Sequence, residues 1–288
     1  MKYLFRRKQI GKPVECEVFY VRGYQRSGTN WLSNLLNLHP EINCSGEFHM
    51  QHFFNAKNVY FSRKFSSKEI NEEIENSFYI FIDNCIKNVC KYHLKCGDRT
   101  PTSLESTYTP GRKNILITRD GRDCIVSWVY HCLRKKILTN KMLKNHNTLF
   151  LHDNNYFEYN KSELLSSEKF VKNLSRQWNK RILEDYITVR KAKENQIDMP
   201  VYWLKYEDLI LETEIKRKEL YKFLGVDSDK AQRLNELTTP GFNGHNPKNH
   251  NRIGIAGRWE EYFTEEQLHW FNEVAKDALE LINLKDWD

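Results

Sequence analysis

Apolar residues recur along the chain with two different periods, and where each period holds predicts the elements. Residues 14–21 alternate and are rich in β-branched and aromatic side chains, which predicts a first strand. Residues 31–38, WLSNLLNL, carry apolar side chains at 31, 32, 35, 36 and 38, a short helix ended by His39-Pro40. Residues 67–92 read as helical, and KNILIT at 113–118 reads as a buried strand between turn residues. A helix over 122–136 follows, with Ile125, Val126, Val129 and Leu133 on one face. The text from 137 to 167 is polar, aromatic and rich in Asn (HDNNYFEYN), so an irregular insertion or lid is expected there.

A long amphipathic helix is predicted over 168–195, striped by Phe170, Leu174, Trp178, Ile182, Tyr186 and Val189. PVYWLK at 200–205 is a further strand, and 214–224 a helix closed by Gly225. Residues 239–252 form a loop rich in Gly, Asn and His, and a helix capped by Thr264, with Glu266-Gln267 nearby, runs to 282. Strands alternating with long helices predict one α/β domain over residues 1–288, a central parallel sheet covered on both faces. Ligands of such sheets bind at the carboxyl ends of the strands.

Composition narrows this little. Of the 288 residues 40% are hydrophobic, enough for a core, and the formal charge of +7 permits an anionic ligand without selecting one. No apolar run reaches the roughly 18 residues that span a bilayer, and the basic N-terminus lacks the apolar core of a signal peptide. The seven cysteines show no CxxC, so free thiols in a reducing, cytoplasmic setting are expected. Cys85, Cys90, His93 and Cys96 lie close in sequence, but their spacing matches none of the usual zinc-ligand pairs, and no metal is expected.

The chemistry gathers at strand ends. GYQRSG, residues 23–28, has the glycine spacing of a phosphate-binding loop, but Thr29-Asn30 stands where an ATPase carries Lys-[Ser/Thr]. The amides at the helix start still attract an anion, and Arg26 supplies a cation in place of a metal. After KNILIT come Arg119 and, eight residues on, Ser127, which together can grip a second phosphate unless Arg119 pairs with Asp120 or Asp123. Tyr206 after the later strand offers a ring to a base, and Arg252-Ile253-Gly254 offers a cation beside a glycine. These features describe a nucleotide with phosphates at two separate places.

These residues resemble the sulfotransferases that use 3′-phosphoadenosine 5′-phosphosulfate (PAPS). QRSGTNW is similar to their 5′-phosphosulfate loop, RDGRDCIVS to their 3′-phosphate motif, KYEDL to the adenine-contacting segment and RIGIAGRWEEYFT to the closing loop. The resemblance spans residues 23 to 264 and implies a P-loop-like three-layer sandwich. It also implies that Arg26, Ser27, Gly28, Thr29, Asn30 and Trp31 bind the 5′-phosphosulfate end. By the same resemblance Arg119, Ser127 and Arg252 hold the 3′-phosphate, Ile253 and Gly254 add backbone contacts, and Tyr206 lies against adenine. The histidine-bearing segment of the cytosolic phenol and steroid enzymes has no counterpart.

KCGDRTP at 95–101 instead resembles bacterial and Golgi-type members acting on carbohydrates or protein tyrosine, whose base is a glutamate. That assigns Glu47, 21 residues after Arg26, as general base, with His49 and Asp98 in reserve and Arg99 steadying the sulfuryl oxygens. The implied reaction is sulfuryl transfer to a hydroxyl of a carbohydrate or other small molecule, with peptide tyrosine a further candidate, giving PAP. Residues 137–167 are expected to help form the acceptor pocket. Two other classes remain open at this point: a P-loop kinase using ATP, and a basic nucleic-acid-binding module. The basic runs lack interleaved aromatics, so no nucleic acid is expected, and no membrane.

Overall fold

The computed structural model describes residues 16–62, 67–90, 93–137, 141–153, 155–235, 238 and 254–284. Its central strand is β1 (Glu17–Gly23), buried from Val18 to Gly23 because helices cover both faces. β2 (Ile42–Gly46), β3 (Lys95–Asp98), β4 (Lys113–Thr118) and β5 (Val201–Lys205) complete a parallel sheet in the order β2-β3-β1-β4-β5. Tyr20 is in register with both Asp98 and Asn114, and Gly23 with Ile117. The turn after β1 therefore lies at the middle of the carboxyl edge, flanked by the turns after β3 and β4. This is the predicted three-layer architecture.

The helices are α1 (Thr29–Leu36), α2 (Gln51–Phe61), α3 (Lys68–Val89), α4 (Gly121–Lys135), α5 (Lys141–His152) and α6 (Tyr156–Tyr159). They continue with α7 (Glu168–Glu194), α8 (Tyr206–Leu211), α9 (Thr213–Leu224) and α10 (Glu265–Ile282). Phe19 and Val21 face a core shared with α1, α8 and α9, whereas Val18 and Tyr20 face α2 and α3. A third cluster joins α4, α5, α7 and α10 around Trp178, Tyr130 and Phe271. The boundaries expected from periodicity hold to within two or three residues where they are described; residues 14, 15, 91 and 92 lie outside. Thr264 forms a capping box with Gln267, and Gly225 closes α9 with φ +77°.

Three readings need correction. β2 (INCSG) and β3 (KCGD) are not predicted, being short and polar. β3 is nevertheless buried throughout, because Lys95 pairs with Glu17 at 2.6 Å and Asp98 with Arg22 at 3.0 Å. The described residues of 137–167 are not irregular throughout: α5 and α6 hold Leu143, Phe150 and Phe157 in the large core. Cys16 and Cys96 form a disulfide across the neighbouring ends of β1 and β3, so not all seven cysteines are free thiols. Free thiols therefore do not mark a reducing compartment for this chain. No helix among the described residues is long and apolar enough to cross a membrane.

One buried group gives stability a pH dependence. Asp185 on α7 accepts a hydrogen bond from the Leu104 amide at 2.8 Å, while its Oδ2 has no partner. Burial pushes its carboxyl up to about 7 from an ordinary value of 3.8. The folded state therefore keeps a proton that the unfolded chain releases. Stability is fully present below the unfolded value and is lost as pH rises through the folded one. Asp185→Asn keeps an acceptor for Leu104, and thermal unfolding should show it more stable than the parent at pH ~8 but not at pH ~4. Identical shifts at both pH values would remove Asp185 from this role.

Candidate active site at the carboxyl edge

β1 ends at Gly23 and α1 begins after Gly28, so residues 24–28 must turn within a few ångströms of β4. A Cβ on Gly23 would lie 2.3 Å from the Ile117 carbonyl, and one on Gly28 (φ +100°) 2.4 Å from the Tyr206 ring. Ser27 gives its amide and its hydroxyl to the Tyr24 carbonyl, at 3.2 and 2.5 Å, closing the turn. The loop then presents the first amides of α1, which lack partners within the helix, at the middle of the sheet edge. Trp31 anchors the helix start through a 2.7 Å hydrogen bond from Nε1 to the Thr238 carbonyl.

The structure brings the loop together with two sites from other strands. On the β3 side, Arg99 donates to Glu47 at 2.5 Å and also to the Asn30 side chain. Glu47, Arg99 and Asn30, which follow three different strands, thus form one chain. His49 lies 4.0 Å from the other Glu47 oxygen. Asp98, by contrast, is fully buried and fully engaged. Its Oδ1 accepts from the Phe48 amide and from the amide and hydroxyl of Thr100, and its Oδ2 from Arg22.

On the β4 side, Arg119 stands over the Tyr206 ring at 4.2 Å and donates weakly to the carbonyls of Arg26 and Ile255, both at 3.4 Å. Burial opposes its charge, but Tyr206, Asp123 and Glu207 more than offset this and hold its pKa above the ordinary value. Its acidic neighbour is Asp123 at 3.4 Å, not Asp120, which instead caps α4 and pairs with Arg122. Asp123 also accepts from the Gly257 amide at 2.8 Å and the Trp259 amide at 3.0 Å. Arg119 and the start of the closing loop are thus fastened to one carboxylate. Tyr206 is itself buried, wedged against Gly28 and Trp31.

Arg26 crosses between the two sides, its Nε 3.1 Å from Ser127 Oγ. The expected 5′ and 3′ phosphate groups of residues therefore meet at this contact. His131 is one turn beyond Ser127 on α4 and is stacked on Trp128. Burial first, and then Arg26, lower its pKa to about 4. Its i, i+4 spacing from Ser127 sets it on the same face of α4. Gly254 adopts φ +67°. Arg252 and Ile253 lie outside the described residues.

The arrangement suits an anion with separated charges. Nε of Arg99 and Nε of Arg119 are buried without an acceptor, one on each side of the loop. Among the described residues no group of three or more His, Cys, Asp and Glu is placed to hold a metal ion.

Residues 18–283 match the family described as the sulfotransferase domain. No curated protein matches the chain in sequence. The fold is similar to that of the mouse sulfotransferase SULT7A1 complexed with PAP, at 16% identity and a TM-score of 0.50, over 91% of this chain and 84% of that one. Retinol dehydratase in complex with androsterone and PAP aligns at 18% identity and a TM-score of 0.48, over 95% and 84% of the two chains. A sulfotransferase from Alicyclobacillus acidocaldarius aligns at 17% and 0.44, over 95% and 99%. At such identities the likeness is one of fold. The family match covers nearly the whole chain, and the protein belongs to the sulfotransferase domain family.

Proposed function

We propose that this sulfotransferase takes its sulfuryl group from PAPS and transfers it to a hydroxyl of a carbohydrate or other hydroxylated small molecule, with Glu47 as general base. The observation that carries the reading is the Glu47–Arg99–Asn30 chain. It places a carboxylate next to the phosphate loop and fastens it there by a guanidinium. A base beside the acceptor oxygen, cations on the leaving phosphate and fixed in-line positioning are what this reaction needs. Glu47 removes the acceptor proton as the new S–O bond forms and the old one breaks. Arg26 and the α1 amides offset the charge left on the departing phosphate, and Arg99 steadies the sulfuryl oxygens. Arg119, Ser127 and the closing-loop residues Arg252, Ile253 and Gly254 hold the 3′-phosphate, and Tyr206 supports the adenine end.

Residues 137–167 form a wall of the acceptor pocket in this reading. What supports it is their attachment to the closing loop: Glu158 accepts from Arg258 at 3.0 Å and from the Tyr262 hydroxyl at 2.8 Å, and Lys161 pairs with Glu261.

Each role has its own kinetic signature. Glu47→Gln should leave PAP affinity within about twofold and lower transfer by about 10²-fold or more, read by calorimetry and single-turnover assay. Full activity in that variant would move the base elsewhere. Arg26→Ala should cost roughly 10²–10³ in turnover, more than it costs in donor affinity. Arg119→Ala should show the reverse, weakening PAP by about 10–10²-fold. Asp123→Asn keeps an acceptor for one of the two loop amides and removes the charge that fixes Arg119. It should raise the KM for PAPS about tenfold at unchanged kcat; a fall confined to kcat would contradict this positioning role.

A further inference from the structure

Away from the phosphate loop, α2, α3 and the second half of α7 enclose a cavity of about 760 Å³, floored by residues 105–110 and 197–199. Neither Glu47, Arg99, the loop from Gly23 to Trp31 nor the Arg119–Ser127 segment lines it. Its volume is that of a small-molecule site. Two properties restrict the occupant. The walls are aromatic and aliphatic: Phe54, Tyr79, Tyr108, Ile187, Ile197 and Met199. The charged groups around them are four glutamates against two lysines, an acidic excess within a chain of formal charge +7.

One of those lysines shows what the walls accept. Lys57 Nζ donates to Glu75 at 2.6 Å and to the Tyr79 hydroxyl at 3.0 Å, and lies 4.8 Å from the centre of the Tyr79 ring. Phe78 and Phe54 stand at 5.7 and 5.9 Å from the same nitrogen. This is an ammonium held by a carboxylate and ring faces, the pairing that recognises organic cations. Glu75 is spent on it. The remaining carboxylates are not spent to the same degree. Among the described residues Glu105 makes no ion pair, Glu72 meets only Lys68 at 3.9 Å, and Glu184 meets Lys180 at 3.6 Å and Arg181 at 4.0 Å.

We propose that this cavity is a second binding site, for an alkyl- or arylalkyl-ammonium. The hydrocarbon body of the ligand lies on the aromatic and aliphatic walls, and its ammonium among Glu72, Glu105 and Glu184. The separation from Glu47 and Arg99 makes the ligand distinct from the sulfuryl acceptor.

The test compares tryptamine with tryptophol, which replaces the ammonium by a neutral hydroxyl, in calorimetric titrations of the full chain with and without excess PAP. Tryptamine should bind with a Kd below about 1 mM, and tryptophol at least about tenfold more weakly. The double variant Glu105→Gln, Glu184→Gln should weaken tryptamine about tenfold while leaving tryptophol unchanged, and PAP should displace neither. Equal binding of the two probes, tryptamine binding unaffected by the double variant, displacement by PAP, or no saturable binding would each overturn the proposal.

Discussion

The site depends on a guanidinium and a carboxylate that have no contact with solvent. Arg22 and Asp98, on adjacent strands, pair at 3.0 Å with both side chains fully buried. Two charges pulled out of water are tolerated only when hydrogen bonds satisfy the rest of each group. Here Arg22 also donates to Thr107 Oγ1 and to the carbonyls of Val21 and Asp98, and stands over the Tyr20 ring. Loss of one partner alone would leave a bare buried charge, a cost of about 3–5 kcal/mol. The other oxygen of Asp98 fixes the Phe48 amide and Thr100, and Thr100 in turn accepts from the His49 amide. The two backbone segments that carry Glu47 and Arg99 are thus tied to one carboxylate. The placement of Glu47 beside Arg99 follows from the pairing of β1 with β3.

A second buried carboxylate plays the matching part on the β4 side. Asp123 joins Arg119 to the closing loop, and Glu207 accepts from the Asp120 amide, tying α8 to the same turn. Arg26 reaches from the central loop to Ser127 and links the loop with this side. Arg119 is thus backed by a buried acid that orients it, whereas Arg99 is held by the half-buried Glu47 and Arg26 by the Ser127 hydroxyl. α5 and α6 extend the scheme outward, because Glu158 holds Arg258 and Tyr262 just beyond the closing loop. An acceptor entering beside that loop would meet a braced wall.

What the chain discloses on its own follows the range of the interactions. Helices with a clear stripe and the KNILIT strand are local patterns, and they were legible almost to their ends. The phosphate loop was legible for the same reason, since its glycines, its arginine and its helix start are contiguous. β2 and β3 were not, because KCGD becomes a strand only when the register supplies Glu17 and Arg22 as partners, and β2 in turn only by pairing with β3. The contact between Arg26 and Ser127 joins residues 101 apart, and no local signal marks it. The Asn-rich stretch misled in the opposite sense: its polar residues conceal Leu143, Phe150 and Phe157, which seat α5 and α6 in the core.

The carboxyl edge is proposed to hold a nucleotide by phosphates at two places, without a metal. Calorimetric titration of the full chain with PAP in the presence of a chelator tests it most directly, run beside adenosine 5′-phosphate and beside ATP with magnesium. Micromolar PAP binding unaffected by the chelator is expected, with a loss of about 10-fold or more when the 3′-phosphate is absent. Preference for ATP with magnesium, or equal affinity for PAP and adenosine 5′-phosphate, would contradict it.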